Sequence, residues 1–460
     1  MRFNREFIKS VISQAEFLGT DLPENVMWSL DSRTCNSDDI FVAIAGANVD
    51  GHAFVAQALD RGACGLMIHD RSCLKAISET KKSKLSIIIV PNTHEALVAL
   101  ACAWRSQFTI PVVGVTGSVG KTTTKEMIAH IMRHAGKSCL CSEGNQNTVL
   151  GASLNILKMR DSHDVAVFEM GINKRGEMAR LSEMIRPTTA VITAVGHSHM
   201  EGLGSIQDIA AEKRDIFKYF NHDNIGVING DNALLASIAY AHPVIKFGCK
   251  MTNQIQARKV QSRGTSIHFV LKLYKNRYKI SMPTNHMGPV MSGLSATAVA
   301  YILNIPEECI VQALQNPPSV HSRFEHKTLR NKKGLLIDDC YNASPESMKA
   351  ALLAFERIDA NGKKIAIIGD MLELGVNAPF WHRQVGRFLR KVPSVNHVIF
   401  VGENVKWSQK TVPSYLSTEL VPDWKTAVTV LQSHLNEQSI VLVKGSNGMG
   451  LKNLVADVVE

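Results

Sequence analysis

The stretch PVVGVTGSVGKTTTKEM, Pro111 to Met127, carries the plainest chemistry in the chain. Apolar residues lead into a glycine turn, then Gly120-Lys121-Thr122, then a helix-like run. That order gathers backbone N–H groups at the positive end of a helix dipole, where a phosphate is favoured. Gly117 and Gly120 let the backbone come close to a polyphosphate. Lys121 can reach its terminal phosphates, and the Thr122 hydroxyl can take a Mg2+ position. The strict phosphate-loop pattern wants a glycine where Val115 stands. The loop is therefore Thr116, Gly117, Ser118, Val119, Gly120, Lys121 and Thr122, with Thr123 behind it, and these are the candidate nucleotide-binding residues.

Other polar groups fall where an open α/β sheet keeps its chemistry, just past the ends of apolar runs. Glu169 ends the strand-like DVAVFE, and an exposed carboxylate there could hold Mg2+ through oxygen. His197 and His199 follow the run AVITAVG, a second strand tip offering ligands beside a phosphate loop. Asn145 and Asn147, in EGNQNTVLG, are either neutral hydrogen-bonding groups near an acceptor or a polar turn opening a helix. Arg323, in SRFEH, stands at a boundary between units and could swing onto nucleotide phosphates on closure. The strand-like LLIDD ends in Asp338-Asp339 and runs into the turn Asn342 to Pro345, which also reads as plain helix capping.

These groups need elements to hold them. Residues 1–105 read as a small α/β unit with strands in DDIFVAIAG, CGLMIHD and LSIIIVPN around the helix HAFVAQALDRGA. Residues 106–322 alternate strand and helix, which means a mostly parallel sheet covered on both faces. An antiparallel stretch follows within this unit, TSIHFVLKLYKNRYKISMP, turning near Lys275-Asn276. Residues 323–460 repeat the α/β rhythm in GLLIDD, KKIAIIGD, VNHVIFVG and SIVLVKG. The expected fold class is α/β in three domains: a small N-terminal unit, a central P-loop domain and a C-terminal Rossmann-like domain.

The totals agree with such an enzyme. The chain has 460 residues, 45% apolar and 20% charged, which suits two or three globular domains. No apolar run approaches the roughly 18 residues of a membrane helix, and the start does not read as a signal peptide. Nine cysteines without CxxC pairing suit a reducing, cytoplasmic compartment. Cys139 and Cys141 read as one face of a short strand. The net charge of +10 is spread along the chain without the aromatic interleaving that stacks bases, so anionic small molecules are expected rather than nucleic acid.

The TGxxGKT loop resembles that of the Mur ligases and their folylpolyglutamate synthetase relatives. These are ATP-dependent enzymes that activate a carboxylate as an acyl phosphate and join it to an amine. The resemblance implies that Thr122 holds Mg2+ beside the ATP phosphates and that Glu169 and His199 hold a second ion. It also implies that Lys213, in AAEKRDIF, is carbamylated and becomes a further ligand; by its residues alone Lys213 reads as an ordinary helix-surface lysine. Lys121, Lys213 and His199 are then the catalytic groups. Arg323, His286 and Asp339 belong to the ATP site, with Asp339 at the ribose.

Within the family, DDCYNASPESM, IIGDMLELG, VKGS and the N-terminal SLDSRTCNSDDIFVAIAGANVDGH resemble the branch that adds D-alanyl-D-alanine to the UDP-N-acetylmuramoyl tripeptide. That implies Ser32 and Arg33 at the UDP end and Asn145, Asn147 and Asn342 as substrate groups; a monomer binding these substrates and no nucleic acid is expected. Two segments depart from the family. His286 remains in NHMGPVMSGL, but the asparagines that usually follow it do not, and Asn447 stands where arginine is common. The alternatives are a sister Mur or folylpolyglutamate-type ligase, or a P-loop NTPase that drives a conformational change without ligation.

Overall fold

A computed structural model describes residues 3–198, 200–330 and 334–460. Its described strands form three sheets of five, nine and six strands. The five-stranded sheet comprises β1 (Glu16–Gly19), β2 (Met27–Ser29), β3 (Asp39–Val42), β4 (Gly65–Ile68) and β5 (Ser86–Ile89). The nine-stranded sheet comprises β6 (Val112–Thr116), β7 (Cys139–Cys141), β8 (Val165–Glu169), β9 (Thr189–Ile192), β10 (Ile225–Asn229), β11 (Val244–Gly248), β12 (Ile255–Arg263), β13 (Ser266–Leu273) and β14 (Asn276–Met282). The six-stranded sheet comprises β15 (Glu325–Thr328), β16 (Leu335–Asp338), β17 (Lys364–Gly369), β18 (His397–Val401), β19 (Ser417–Val421) and β20 (Ile440–Lys444). The chain divides into two compact units.

The first unit holds Met1–Gly114, Lys137–Met170 and Ala179–Pro187. Its five-stranded sheet runs β1-β5-β4-β3-β2, parallel except for β1 against β5. All four residues of β4 (GLMI) and of β5 (SIII) are buried, which is why they read as continuous apolar runs rather than alternating ones. The helix Thr93–Arg105 starts where Asn92 accepts from the Glu95 N–H, an N-cap of the usual kind. β7 and β8 also lie in this unit and pair in parallel.

The second unit holds Val115–Gly136, Gly171–Met178 and Thr188–Glu460. Strands β9 to β12 run parallel in sequence order, and β12-β13-β14 close as an antiparallel meander. The β13–β14 hairpin turns on Tyr274 and Lys275, with Leu273 opposite Asn276. Tyr274 takes φ +50°, as the first position of a tight hairpin turn requires. The six-stranded sheet has the order β15-β16-β20-β17-β18-β19, parallel but for β15. In β17, Ile365 and Ile367 join one apolar cluster while Ala366 and Ile368 join the other. Alternation along the strand sends these residues to opposite faces, so helices cover both sides.

The three-part α/β architecture expected from the sequence is present. The strands β1, β2, β11, β12, β15 and β19 have no counterpart in the sequence reading. β15 and β19 expose part of their side chains at a sheet edge and so lack the apolar run that marks an inner strand.

Candidate functional site

The phosphate loop follows β6, whose five residues are all buried. Gly117 has φ +150°, and a Cβ there would lie 1.9 Å from Thr193 Oγ1, so only glycine fits. Gly120 takes the left-handed φ +85° and opens the helix Lys121–His134 without a side-chain cap. The first N–H groups of that helix thus point into the loop, where an anion is favoured. The loop is pinned from the segment after β9. Thr193 Oγ1 donates to the Val119 carbonyl at 2.5 Å. Ser118 Oγ donates to the Gly196 carbonyl and accepts from the Gly196 N–H, at 3.0 and 2.9 Å. Lys121 Nζ bends back to the Gly117 carbonyl at 2.9 Å.

Arg323 reaches this loop. Its Nη2 donates to Thr122 Oγ1 at 3.3 Å, its guanidinium lies 3.9 Å over the Tyr341 ring, and its buried Nε has no hydrogen-bond partner among the described residues. The residues on either side, Ser322 and Phe324, both take left-handed φ, +53° and +58°. Such backbone is strained for non-glycine residues and persists only where surroundings hold it. Here Ser322 Oγ donates to Asp338 Oδ2 at 2.9 Å. Burial raises the Asp338 pKa, but hydrogen bonds from Cys340 and the Lys327 ammonium outweigh it and hold the carboxyl below its ordinary range.

Asp339, the next residue, is paired with Lys444 Nζ at 2.7 Å. The same ammonium reaches the carbonyls of Asp339 and Asn342 at 3.3 and 3.0 Å. Lys444 thus ties down the turn whose exposed tip is Asn342. The sequence reading missed Lys444, although it ends the strand neighbouring β16 in SIVLVKG. Lys444→Met would leave the buried Asp339 carboxylate unpaired. We expect a loss of roughly 3–5 kcal/mol of stability, read as a lower urea midpoint.

His286 caps the helix Met287–Ile302, its Nδ1 accepting from the Gly288 N–H at 2.8 Å. Burial pushes its pKa down to about 4 against the pull of Asp339, so the ring is neutral at pH 7. Its centroid lies 5.0 Å from the Phe324 ring. One ring nitrogen is thus spent on the fold.

One ring nitrogen of His197 is taken by Glu346. Its Nδ1 lies 2.6 Å from Glu346 Oε1, and its backbone N–H donates to the same oxygen. Glu346 comes from the first turn of the helix Pro345–Glu356, which Ser344 caps in a capping box. The sequence reading assigned that turn to capping and overlooked Glu346. His199 lies outside the described residues.

Lys213 overturns a sequence expectation. It lies on the helix Ile206–Arg214 as expected, but it is only 1% exposed and so is no surface lysine. Burial, and then the positive charge of Lys121, hold its pKa well below the lysine range, opposed by Glu212. Glu212 itself is occupied, accepting from the N–H groups of Gly176 and Met178.

In the first unit, Glu169 ends β8 and is 2% exposed, a correction to the exposed carboxylate expected. Asn147 Nδ2 donates to Glu169 Oε1 at 2.8 Å, whereas Asn145 is exposed. Glu169 Oε2 is buried with no hydrogen-bond partner among the described residues. A buried carboxylate oxygen without a donor is costly, so this one suits a cation. At the N-terminal sheet, Ser32 and Arg33 follow β2, Asp50 and His52 follow β3, and His69 follows β4. Loops after the carboxyl ends of parallel strands gather there, where open sheets bind ligands. Ser32 Oγ donates to Gln57 Oε1 at 2.6 Å. Arg33 forms a two-point pair with Asp31, which that pairing pulls down to about 2.

A strand–glycine–helix phosphate cradle within a mostly parallel α/β sheet, with an arginine from just before the following sheet reaching the loop, defines a P-loop nucleotide-using enzyme. More narrowly, the chain belongs to the Mur ligase family. Three family models cover most of it: the Mur ligase family catalytic domain at residues 26–105, the Mur ligase middle domain at 115–299 and the Mur ligase glutamate ligase domain at 322–447. It is 32% identical over 434 residues to the UDP-N-acetylmuramoyl-tripeptide–D-alanyl-D-alanine ligase of Bacillus subtilis (strain 168), spanning 94% of this chain and 92% of that one. It is 32% identical over 441 residues to the enzyme of the same name from Treponema pallidum (strain Nichols), spanning 93% and 92%. Among solved structures it is similar to MurF from Acinetobacter baumannii, with TM-score 0.85, 26% identity and 99% and 98% of the two chains covered. It is also similar to MurF from Thermotoga maritima in complex with ADP, with TM-score 0.78, 25% identity and 94% and 96% covered.

Proposed function

We propose that the chain joins D-alanyl-D-alanine to the UDP-N-acetylmuramoyl tripeptide, consuming ATP and releasing ADP and phosphate. The observation that carries this reading is the likeness to enzymes of that name along nearly the whole chain. The pinned phosphate loop under Arg323 supports the use of ATP. We assign three working domains: 1–105 for the sugar nucleotide, 106–322 for ATP and 323–460 for closure over it. The reaction is placed in the cytoplasm. All nine cysteines are free, which suits a reducing compartment, and no described helix is long and apolar enough to cross a membrane.

The loop N–H groups and Lys121 hold the ATP phosphates, and Arg323 shares their charge. The tripeptide carboxylate attacks the γ-phosphorus, forming an acyl phosphate and expelling ADP. The dipeptide amine then attacks the acyl carbon, phosphate leaves, and the amine proton passes to solvent. Orienting the reactants and excluding water protect the intermediate from hydrolysis. Ser32 and Arg33 serve the UDP end, Asn145, Asn147 and Asn342 the peptide ends, and Asp339 and His286 the nucleoside.

Mg2+ fits the residues present, as the partnerless Glu169 Oε2 indicates. The family resemblance gives Thr122 to one ion and Glu169, His199 and carbamylated Lys213 to another. When bound, the ions offset negative charge crowded at the phosphates. Glu169→Gln and His199→Ala should each raise the Mg2+ concentration needed for half-maximal rate by on the order of tenfold, with sugar-nucleotide binding nearly intact. Unchanged Mg2+ dependence in both variants would show that the constellation has been misassigned.

Phosphate release separates the readings. It should require the UDP-N-acetylmuramoyl tripeptide, and amide product should appear only when D-alanyl-D-alanine is added. Equal release without either compound would mark an NTPase. Release driven by a folate or by another sugar nucleotide in place of the tripeptide would mark a sister ligase.

A further inference from the structure

At the amino ends of the last strands of the six-stranded sheet, three side chains converge away from the nucleotide residues. His397 opens β18 and pairs in register with Ser417, which opens β19. Glu419 lies two residues beyond Ser417 and so on the same face. His434 closes the helix Trp424–His434, at the helix end that favours a cation. His434 Nε2 is 2.6 Å and His397 Nε2 is 3.4 Å from the same Glu419 oxygen. The two imidazoles stack with centroids 3.9 Å apart. The three candidate ligand atoms all lie within 4.8 Å of one another.

The sharing is incomplete. His434 is satisfied by Glu419, but His397 is 4% exposed and its Nε2 has no hydrogen-bond partner among the described residues. Its other nitrogen lies 3.0 Å from Ser417 Oγ, which orients the ring and aims Nε2 into the cluster. A hydrogen-bonded outer partner on the second nitrogen is the usual support of a metal-binding histidine.

We propose that His397, Glu419 and His434 bind a divalent transition-metal ion of the Zn2+ type. Two imidazoles and a carboxylate without thiolate suit Zn2+, Co2+ or Ni2+ rather than Mg2+. Three protein ligands leave a fourth position for water. Glu419 and His434 are part-exposed, which gives the ion a way in. Burial, then the neighbouring His434, keeps His397 below the usual histidine range, so it is neutral, the form that ligates. The positive charge of Lys363 also bears on His397 and acts against a cation, while the Glu419 carboxylate offsets it. The strands β16, β20, β17 and β18 are parallel. Asp339 and Lys444 lie at their carboxyl ends, so this cluster is on the opposite rim of the sheet from the nucleotide residues. An ion there would clip the edge strand β19 and the helix Trp424–His434 to β18.

The test uses the full chain, treated with chelator and dialysed against Zn2+ alone, then Co2+ alone, without nucleotide or Mg2+. A single Zn2+ per chain is expected, with a raised melting temperature, and a Co2+ spectrum lacking thiolate charge-transfer absorption. His434→Ala and Glu419→Gln, both at part-exposed positions, should weaken binding at least about tenfold and abolish the thermal shift while keeping ligase activity. Glu169→Gln should bind Zn2+ as the parent does. No binding by the parent protein, undiminished binding in both variants, or thiolate bands in the Co2+ spectrum would each overturn the assignment.

Discussion

Lys121→Ala is expected to lower kcat by on the order of 10²-fold or more, the scale of losing one preorganised charge stabiliser. The fold should survive. Lys121 is the first residue of its helix, and its ammonium reaches back to the Gly117 carbonyl rather than into the core. The loop is pinned independently by Thr193 and Ser118, so ATP should still find its N–H groups. The loss should fall on the transfer step, where charge is redistributed at the γ-phosphate. Steady-state turnover with saturating ATP, tripeptide nucleotide and dipeptide is the measurement. Near-normal turnover would remove the phosphate role from Lys121.

Lys213→Ala should be nearly inactive, and short carboxylic acids such as acetate should restore part of the rate. A buried ammonium beside Lys121 would repel a metal ion and be repelled by its neighbour. Burial and the Lys121 charge instead favour the neutral amine, the form that adds CO2, losing a proton to become a carbamate. The carbamate is an anion that ligates through oxygen, which Mg2+ prefers. Acetate can fill the space vacated in the alanine variant with a carboxylate of the same kind. Sugar-nucleotide binding and the melting transition report whether the variant stays folded. Parental turnover by folded Lys213→Ala, or an unmodified Lys213 in a high-resolution complex with Mg2+ and an ATP analogue, would end the carbamate assignment.

The phosphate loop was fully legible because everything that makes it lies in consecutive residues. The buried strand, the two glycines in conformations that other residues avoid, and the uncapped helix start are all local. Inner strands such as KIAIIG and HVIFV were legible for the same reason, since burial on both faces writes a continuous apolar run. The edge strands EHKT and STELV were not, because a half-exposed edge mixes polar and apolar residues as a loop does.

The sequence by itself determined the α/β class, the strand–glycine–helix loop, the strand-end position of Glu169 and, through motif resemblance, the family. The tertiary structure alone decided which distant groups meet. Arg323 touches Thr122 across 201 residues and Glu346 takes His197 across 149. Lys213 reads as a surface lysine on its helix, yet packing from elsewhere buries it. His397, Glu419 and His434 have no motif spacing, and the pairing of β18 with β19 and the packing of the helix Trp424–His434 bring them together. The physical reason is range. Backbone preference and hydrophobic periodicity act over a few residues, whereas side-chain partners are set by sheet order and the closure of long loops, whose cost grows only slowly with chain separation and so leaves little local trace.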